Sequence, residues 1–206
     1  MRSSPNIHTF ESLYRRLPEL RFEESSAFLT QLARDPKFMA SQILSSLPHA
    51  ALGSEPMITA TYGLREASPC LQVFVWPVGA ATPIHDHTSW GAYYCIVGTL
   101  QEERYERLDD GAQPSTARLR KVWQRPLRKQ DGASTVGAYA EGIHRISNTS
   151  GRPAISVHVY GPRQGVFDGR DYDPTREFVC DRLEADDILA LPGRLYGQQA
   201  WARNAS

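Results

Sequence analysis

The sequence predicts a mainly β protein, a small β-barrel or jelly roll with an N-terminal helical segment. Two textures divide the chain. Up to about residue 50, apolar residues recur at helical spacing; from about residue 57, short β-branched and aromatic runs alternate with turn residues. Those runs follow one another closely, which suits a sandwich or small barrel.

In the helical segment, Phe10, Leu13 and Leu17 share one stripe, then Phe28, Leu29 and Leu32, then Ile43, Leu44 and Leu47. Pro18 and the Asp35-Pro36 pair punctuate the helices. The strand-like runs include Leu71-Gln72-Val73-Phe74-Val75-Trp76, Ala92-Tyr93-Tyr94-Cys95-Ile96-Val97 and Ala154-Ile155-Ser156-Val157-His158-Val159-Tyr160. Turn signals fall at Pro77 to Gly79, Asp109-Asp110-Gly111 and Ser150-Gly151-Arg152-Pro153. Asp168 to Pro174 reads as turn-rich, and Leu191 to Ser206 as polar and peripheral. The expected organisation is a single domain: a helical preface at 1–50, a core at 57–165 and a C-terminal extension at 166–206.

The 206 residues carry 23 basic and 23 acidic side chains, a formal net charge of zero. That balance argues against a nucleic-acid or acidic-membrane partner. The start, Met1-Arg2-Ser3-Ser4-Pro5-Asn6, lacks the apolar core of a signal peptide, and no apolar run approaches a membrane span. The expected compartment is the cytoplasm. Cys70, Cys95 and Cys180 are widely spaced and odd in number, so reduced, mostly buried thiols are expected.

Chemistry concentrates in four of the six histidines. His85 and His87 alternate, so one strand face carries two imidazoles. Ser156, His158 and Tyr160 alternate in the same way. With His144 facing them, the histidines at 85, 87 and 144 make a three-nitrogen metal site with an acid/base group beside it. Imidazole suits iron, copper, zinc and nickel alike, so these ligands alone do not select the metal. His8 and His49 fall in the helical preface and read as surface residues.

The spacing around these residues resembles the first cupin motif. Gly79 is followed by five residues, His85-Asp86-His87, three residues, Gly91, six residues and Gly98. Gly91 stands where many cupins place a metal-binding Glu. His144 with Asn148 resembles the end of the second motif. Within that superfamily, three histidines followed by Ser156-Val157-His158-Val159-Tyr160 resemble the thiol dioxygenases of the cysteine dioxygenase type, over roughly residues 57 to 165. The resemblance implies Fe(2+) on His85, His87 and His144, and oxidation of a small thiol by O2 to its sulfinate. It also implies a Ser156–His158–Tyr160 relay that aims the Tyr160 hydroxyl at the substrate.

Two departures matter. Animal-type members carry a Cys beside the metal motif, crosslinked to the catalytic Tyr; the matching position here is Gly91, so no crosslink is expected there. Cys95 shares its strand parity but lies too far along. Members that use cysteine carry Tyr-x-Arg, and those that use 3-mercaptopropionate carry Tyr-x-Gln; here the string is Tyr62-Gly63-Leu64. Leucine cannot bind a carboxylate, so either Arg65 or another arginine, with Arg163 a candidate, supplies the charge, or the substrate is unusual; Tyr62, Leu64 and Trp90 are further candidate substrate-site residues. Trp90 equally reads as core packing. The substrate stays open between cysteine and a mercapto-carboxylate. Two other readings stay open as well: a three-histidine metallocupin acting on a carbon substrate, and a ligand-binding cupin without catalysis.

Overall fold

The computed structural model describes residues 10–46, 48, 55–63, 68–165 and 167–182. Two helices lead: α1 (Phe10–Arg16) and α2 (Phe22–Leu32). A third helical stretch starts at Pro36–Phe38 and passes into a π-helical turn, Met39–Leu44. Its start is capped as the Asp35-Pro36 pair requires. The Asp35 side chain accepts from the Phe38 amide at 2.9 Å, and Pro36 sits where no amide hydrogen is needed. Leu13, Leu17, Phe28, Leu29, Leu32 and Ile43 are buried as their spacing predicts. Leu44 is exposed, because the wider π turn rotates it off the stripe. Leu47, His8 and His49 lie outside the described residues.

Eleven strands follow among the described residues: β1 (Met57–Tyr62), β2 (Cys70–Trp76), β3 (Ile84–His85), β4 (Gly91–Val97), β5 (Leu100–Arg107), β6 (Leu119–Leu127), β7 (Ser134–Val136), β8 (His144–Ser147), β9 (Ala154–Tyr160), β10 (Gly169–Asp173) and β11 (Phe178–Arg182). They form two antiparallel sheets, ordered β1-β2-β9-β4-β7 and β11-β10-β3-β8-β5-β6. The predicted mainly β architecture with N-terminal helices is what the chain adopts.

The first sheet has two buried faces, and period-two alternation sorts its side chains between them. Leu71, Val73 and Val75 of β2, and Ile155, Val157 and Val159 of β9, pack against the helices. Burying each such aliphatic side chain stabilises by about 1.5–3 kcal/mol. The alternate set, Gln72, Phe74 and Trp76 with Ser156, His158 and Tyr160, faces the second sheet. Every residue of β9 is buried, so its polar members find most of their partners inside.

Two segments depart from expectation. Residues Gly169–Asp173, read from sequence as turn-rich, and Phe178–Arg182, read as part of a C-terminal extension, are strands of the second sheet. Their charges pair internally: Arg182 Nη1 lies 2.8 Å from Asp171 Oδ1, and Arg170 binds Asp86. Residues 183–206 lie outside the described set. In β1, a bulge between Ile58 and Ala60 shifts the register by one residue. Ile58 and Thr61 therefore face the second sheet, while Tyr62 turns to the helices and meets Tyr14 edge-on, with ring centroids 5.5 Å apart.

Candidate metal centre

Strand register assembles the histidines. His85 on β3 is paired directly with His144 on β8, and Asp171 on β10 lies on the other side of His85. His87 follows two residues after His85. One ring nitrogen from each of His85, His87 and His144 can be chosen so that the three lie within 4.8 Å of one another, and all three residues are buried. His85 Nδ1 faces the Pro83 carbonyl at 3.0 Å, so Nδ1 carries the hydrogen and Nε2 presents its lone pair. His144 and His87 approach through Nε2, 3.4 Å apart. Burial, with His85 and Arg104 adding to it, pushes the His144 imidazole well below its usual range. Three buried, closely grouped imidazoles are a donor set that fits a divalent transition metal.

Asp86, between two of these histidines, points away from them. It is fully buried and accepts from the Arg170 backbone amide at 2.7 Å, from Arg170 Nε at 2.9 Å and from the Tyr172 hydroxyl at 2.7 Å. Asn148 is likewise a brace. Its Nδ2 faces the Trp76 and Arg152 carbonyls, each at 2.9 Å, while Oδ1 accepts from Ser150, tying the turn after β8 to the end of β2.

Across the cavity, the first sheet brings Ser156, His158 and Tyr160 into a chain. Trp76 Nε1 donates to Ser156 Oγ at 2.7 Å. Ser156 Oγ is 2.7 Å from His158 Nε2, and His158 Nδ1 is 2.9 Å from the Tyr160 hydroxyl. Burial lowers the His158 pKa to about 3, so the ring is neutral and carries one hydrogen. The indole only donates, so the Ser156 hydroxyl hydrogen has His158 Nε2 as its acceptor. The ring hydrogen then sits on Nδ1 and points to the Tyr160 oxygen. Tyr160 donates its own hydrogen onward. Its ring lies 4.8 Å from that of His87, and both line a cavity of about 630 Å³ that includes His85, His144 and His158.

Gly91 pairs with Tyr160 across β4 and β9. A Cβ there would meet the Tyr160 ring at 3.1 Å and Val136 at 3.0 Å, so the missing side chain makes room for the ring. Cys95 pairs instead with Ser156, and burial raises its pKa to about 12. All three cysteines are thiols rather than disulfides; Cys70 and Cys95 are buried and Cys180 partly so.

The substrate-site expectations fare differently. Leu64 and Arg65 lie outside the described residues. Tyr62 faces the helices, through the β1 bulge. Arg163 does not line the cavity, and neither does Trp90, whose ring packs 5.9 Å from Phe22 and against Gly161. The guanidinium that does line it, among the described residues, is Arg182, with Asp168 and Asp171 beside it. Arg182 donates to the Asp86 and Asp168 carbonyls at 2.8 and 3.0 Å. Burial raises the Asp171 carboxyl, opposed by Arg182.

Sequence reading also missed Tyr93 and Glu102. Tyr93 shares the inward parity of Gly91 and Cys95, and its ring stacks 5.3 Å from His158. Its hydroxyl lies 2.9 Å from His144 Nδ1 and donates to Glu102, which is fully buried. Burial first, then the Glu102 charge, raises the Tyr93 pKa well above the ordinary phenol value.

The family model for cysteine dioxygenase type I matches residues 67–170. The chain belongs to the cysteine dioxygenase type I family. It is a cysteine-dioxygenase-like metallocupin, with the three histidines, the relay and Gly91 all inside the matched span. Solved structures resemble it more distantly. The TT1209 protein of Thermus thermophilus is 18% identical over 59% of this chain and 95% of that one, with a TM-score of 0.43. An oxalate oxidase in complex with the substrate analogue glycolate is 16% identical, with a TM-score of 0.44; the match covers 60% of this chain and 59% of the oxidase. A Cupin 2 conserved barrel domain protein from Salinispora arenicola CNS-205 is 14% identical over 52% of this chain and 73% of that one, with a TM-score of 0.35. Among the described residues, no helix is long and apolar enough to cross a membrane.

Proposed function

We propose that this family member is an iron-dependent thiol dioxygenase. In this reading His85, His87 and His144 hold Fe(2+), and cysteine or a mercapto-carboxylate such as 3-mercaptopropionate is oxidised by O2 to its sulfinate. The observation that carries the reading is the convergence of three buried imidazoles and an oriented Ser156–His158–Tyr160 chain on one cavity. Bound ferrous iron supplies a centre at which a soft thiolate and dioxygen can meet.

The chain's own residues do the rest. His85 is held in its donor tautomer by the Pro83 carbonyl. Tyr160 acts as a fixed hydrogen-bond donor toward anionic sulfur or oxygen, and the relay behind it keeps that hydrogen pointing inward. Phe74 and Ile146 close the cavity walls and strengthen the electrostatics inside. The polar end of the substrate faces the wall that carries Arg182, Asp168 and Asp171. In this reading residues 1–206 form a single domain around a core at 57–165, and the thiols fit a reducing compartment, the cytoplasm. A carbon-directed or purely ligand-binding cupin would have less use for an ordered donor chain.

The test is anaerobic loading with ferrous iron, followed by oxygen uptake with cysteine, 3-mercaptopropionate, mercaptosuccinate and cysteamine. Uptake coupled to sulfinate with at least one thiol is expected. No thiol-dependent uptake by the iron-loaded protein would overturn the proposal.

A further inference from the structure

We infer that Tyr93 and Glu102 are positioning residues for His144, fixing the tautomer of that imidazole and making it a stronger donor than His85. The inference rests on the reading of His144 as a metal ligand. It starts from hydrogen accounting. The Tyr93 hydroxyl has one hydrogen and meets three groups: Glu102 Oε1, His144 Nδ1 at 2.9 Å and Arg104 Nη2 at 3.1 Å. The guanidinium can only donate, and the carboxylate only accept. Were the hydrogen turned toward His144, the phenol oxygen and the Glu102 oxygen would face each other in close contact with nothing between them. The hydrogen therefore lies on the Glu102 side. His144 Nδ1 must then carry a hydrogen and donate it to Tyr93, which leaves Nε2 as the lone-pair nitrogen turned toward His87.

Glu102 is itself over-determined. Ser134 Oγ donates to its Oε2 at 2.8 Å, Arg104 Nε donates to its Oε1, and Arg125 Nη2 approaches Oε2 at 3.4 Å while donating to Ser134 at 2.8 Å. Two guanidiniums offset the burial of this carboxylate, and strand register explains the grouping. Arg104 pairs with His144 across β5 and β8, and Ser134 pairs with Tyr93 across β4 and β7. The site thus places two of its imidazoles in unlike settings. His85 donates to a neutral carbonyl, whereas His144 donates to a phenol backed by a carboxylate. The second arrangement polarises the N–H bond more and raises electron density at the opposite nitrogen. Gly91 occupies the position where many cupins place a metal-binding Glu; here a carboxylate reaches the centre through Tyr93 instead of by direct contact.

The experiment is titration of the metal-free full chain with cobalt(II) chloride under anaerobic conditions, reading the dissociation constant and the visible ligand-field spectrum. Tyr93→Phe keeps the ring and removes the oxygen. Partners of this kind typically contribute about 10- to 100-fold in metal affinity, and a loss of that size with a shifted spectrum is expected. Tyr94→Phe is the control: its hydroxyl donates to the Lys129 carbonyl at 2.6 Å, outside the cavity, and wild-type binding is expected. Should Tyr93→Phe fail to fold by circular dichroism, Glu102→Gln takes its place, with weaker binding and a spectral shift of the same sense expected. Wild-type affinity and spectrum in the folded variant, with metal lost from His144→Ala, overturns the inference and leaves the three-histidine site standing. Wild-type cobalt binding by His144→Ala overturns the metal-site reading, and the inference with it.

Discussion

Ser156→Ala and Tyr160→Phe separate the two parts of the relay. In the native chain the Ser156 hydroxyl hydrogen sits between a donor-only indole and one acceptor, His158 Nε2. Reversing the chain, so that Tyr160 donates to His158, would strand that buried hydrogen. A buried unsatisfied donor costs about 1–3 kcal/mol, which corresponds to a preference of roughly 5- to 150-fold for the inward orientation of Tyr160. Ser156→Ala removes this preference but leaves the phenol in place. The two orientations become comparable, and turnover should fall by only about 2- to 10-fold, a modest fraction of that preference. Tyr160→Phe removes the donor itself, and loss of one preorganised donor typically costs about 10²–10³ in rate. Both variants are assayed at equal iron content, following oxygen uptake and sulfinate together. A Ser156→Ala variant as damaged as Tyr160→Phe would refute the orientation argument. Near-normal, fully coupled turnover by Tyr160→Phe would refute the role of the donor.

Three further outcomes follow from the geometry. Gly91→Ala places a methyl 3.1 Å from the Tyr160 ring, so the ring must move; destabilisation of about 1–3 kcal/mol by urea melting and a drop in kcat at retained metal content are expected, and unchanged kcat would mean the ring position is not critical. Asp86→Ala leaves Arg170 and Tyr172 without their shared acceptor; because the Arg170 side chain is partly exposed, the low end of the range for breaking a buried pair applies, about 3 kcal/mol, and a loss under ~1 kcal/mol would show the pair to be dispensable. The His158 pKa is depressed on folding, from an unfolded value near 6.5 to about 3, so its contribution is complete above pH 6.5 and is lost as pH falls toward 3. The unfolded chain takes up a proton that the folded chain refuses, at about 1.4 kcal/mol per pH unit, or about 2 kcal/mol between pH 6.5 and 5. Urea melts of the metal-free chain and of His158→Gln across that range should show the smaller pH slope in the variant; equal slopes would contradict the burial argument.

The parts of this site legible in the sequence are those written within one strand. Ser156, His158 and Tyr160 show their common face by alternation, and His85 and His87 do the same beside a glycine frame of fixed spacing. What escaped depends on pairing between strands. Tyr93 looks like one more aromatic in a buried run; only the partner strand β7 and the opposing sheet place it beside Ser134, Glu102 and His144. The motif around Tyr62 points to the substrate site, but a bulge two residues earlier in β1 reverses its face, and no residue type there announces it. β10 reads as turn because Gly, Asp and Arg crowd it, and β11 falls in what reads as a C-terminal extension. Those charges are compensated by one another and by Asp86, a fact visible only once β10 lies against β3. Arg182 escapes the sequence for the same reason.

The central claim is that this cavity joins dioxygen to a thiol sulfur. It is tested most directly by supplying the iron-loaded protein with a small thiol under ¹⁸O₂ and weighing the product. The account predicts a sulfinate carrying two labelled oxygens, lost in His144→Ala. Thiol consumed only to disulfide, or a sulfinate whose oxygens come from water, would contradict it.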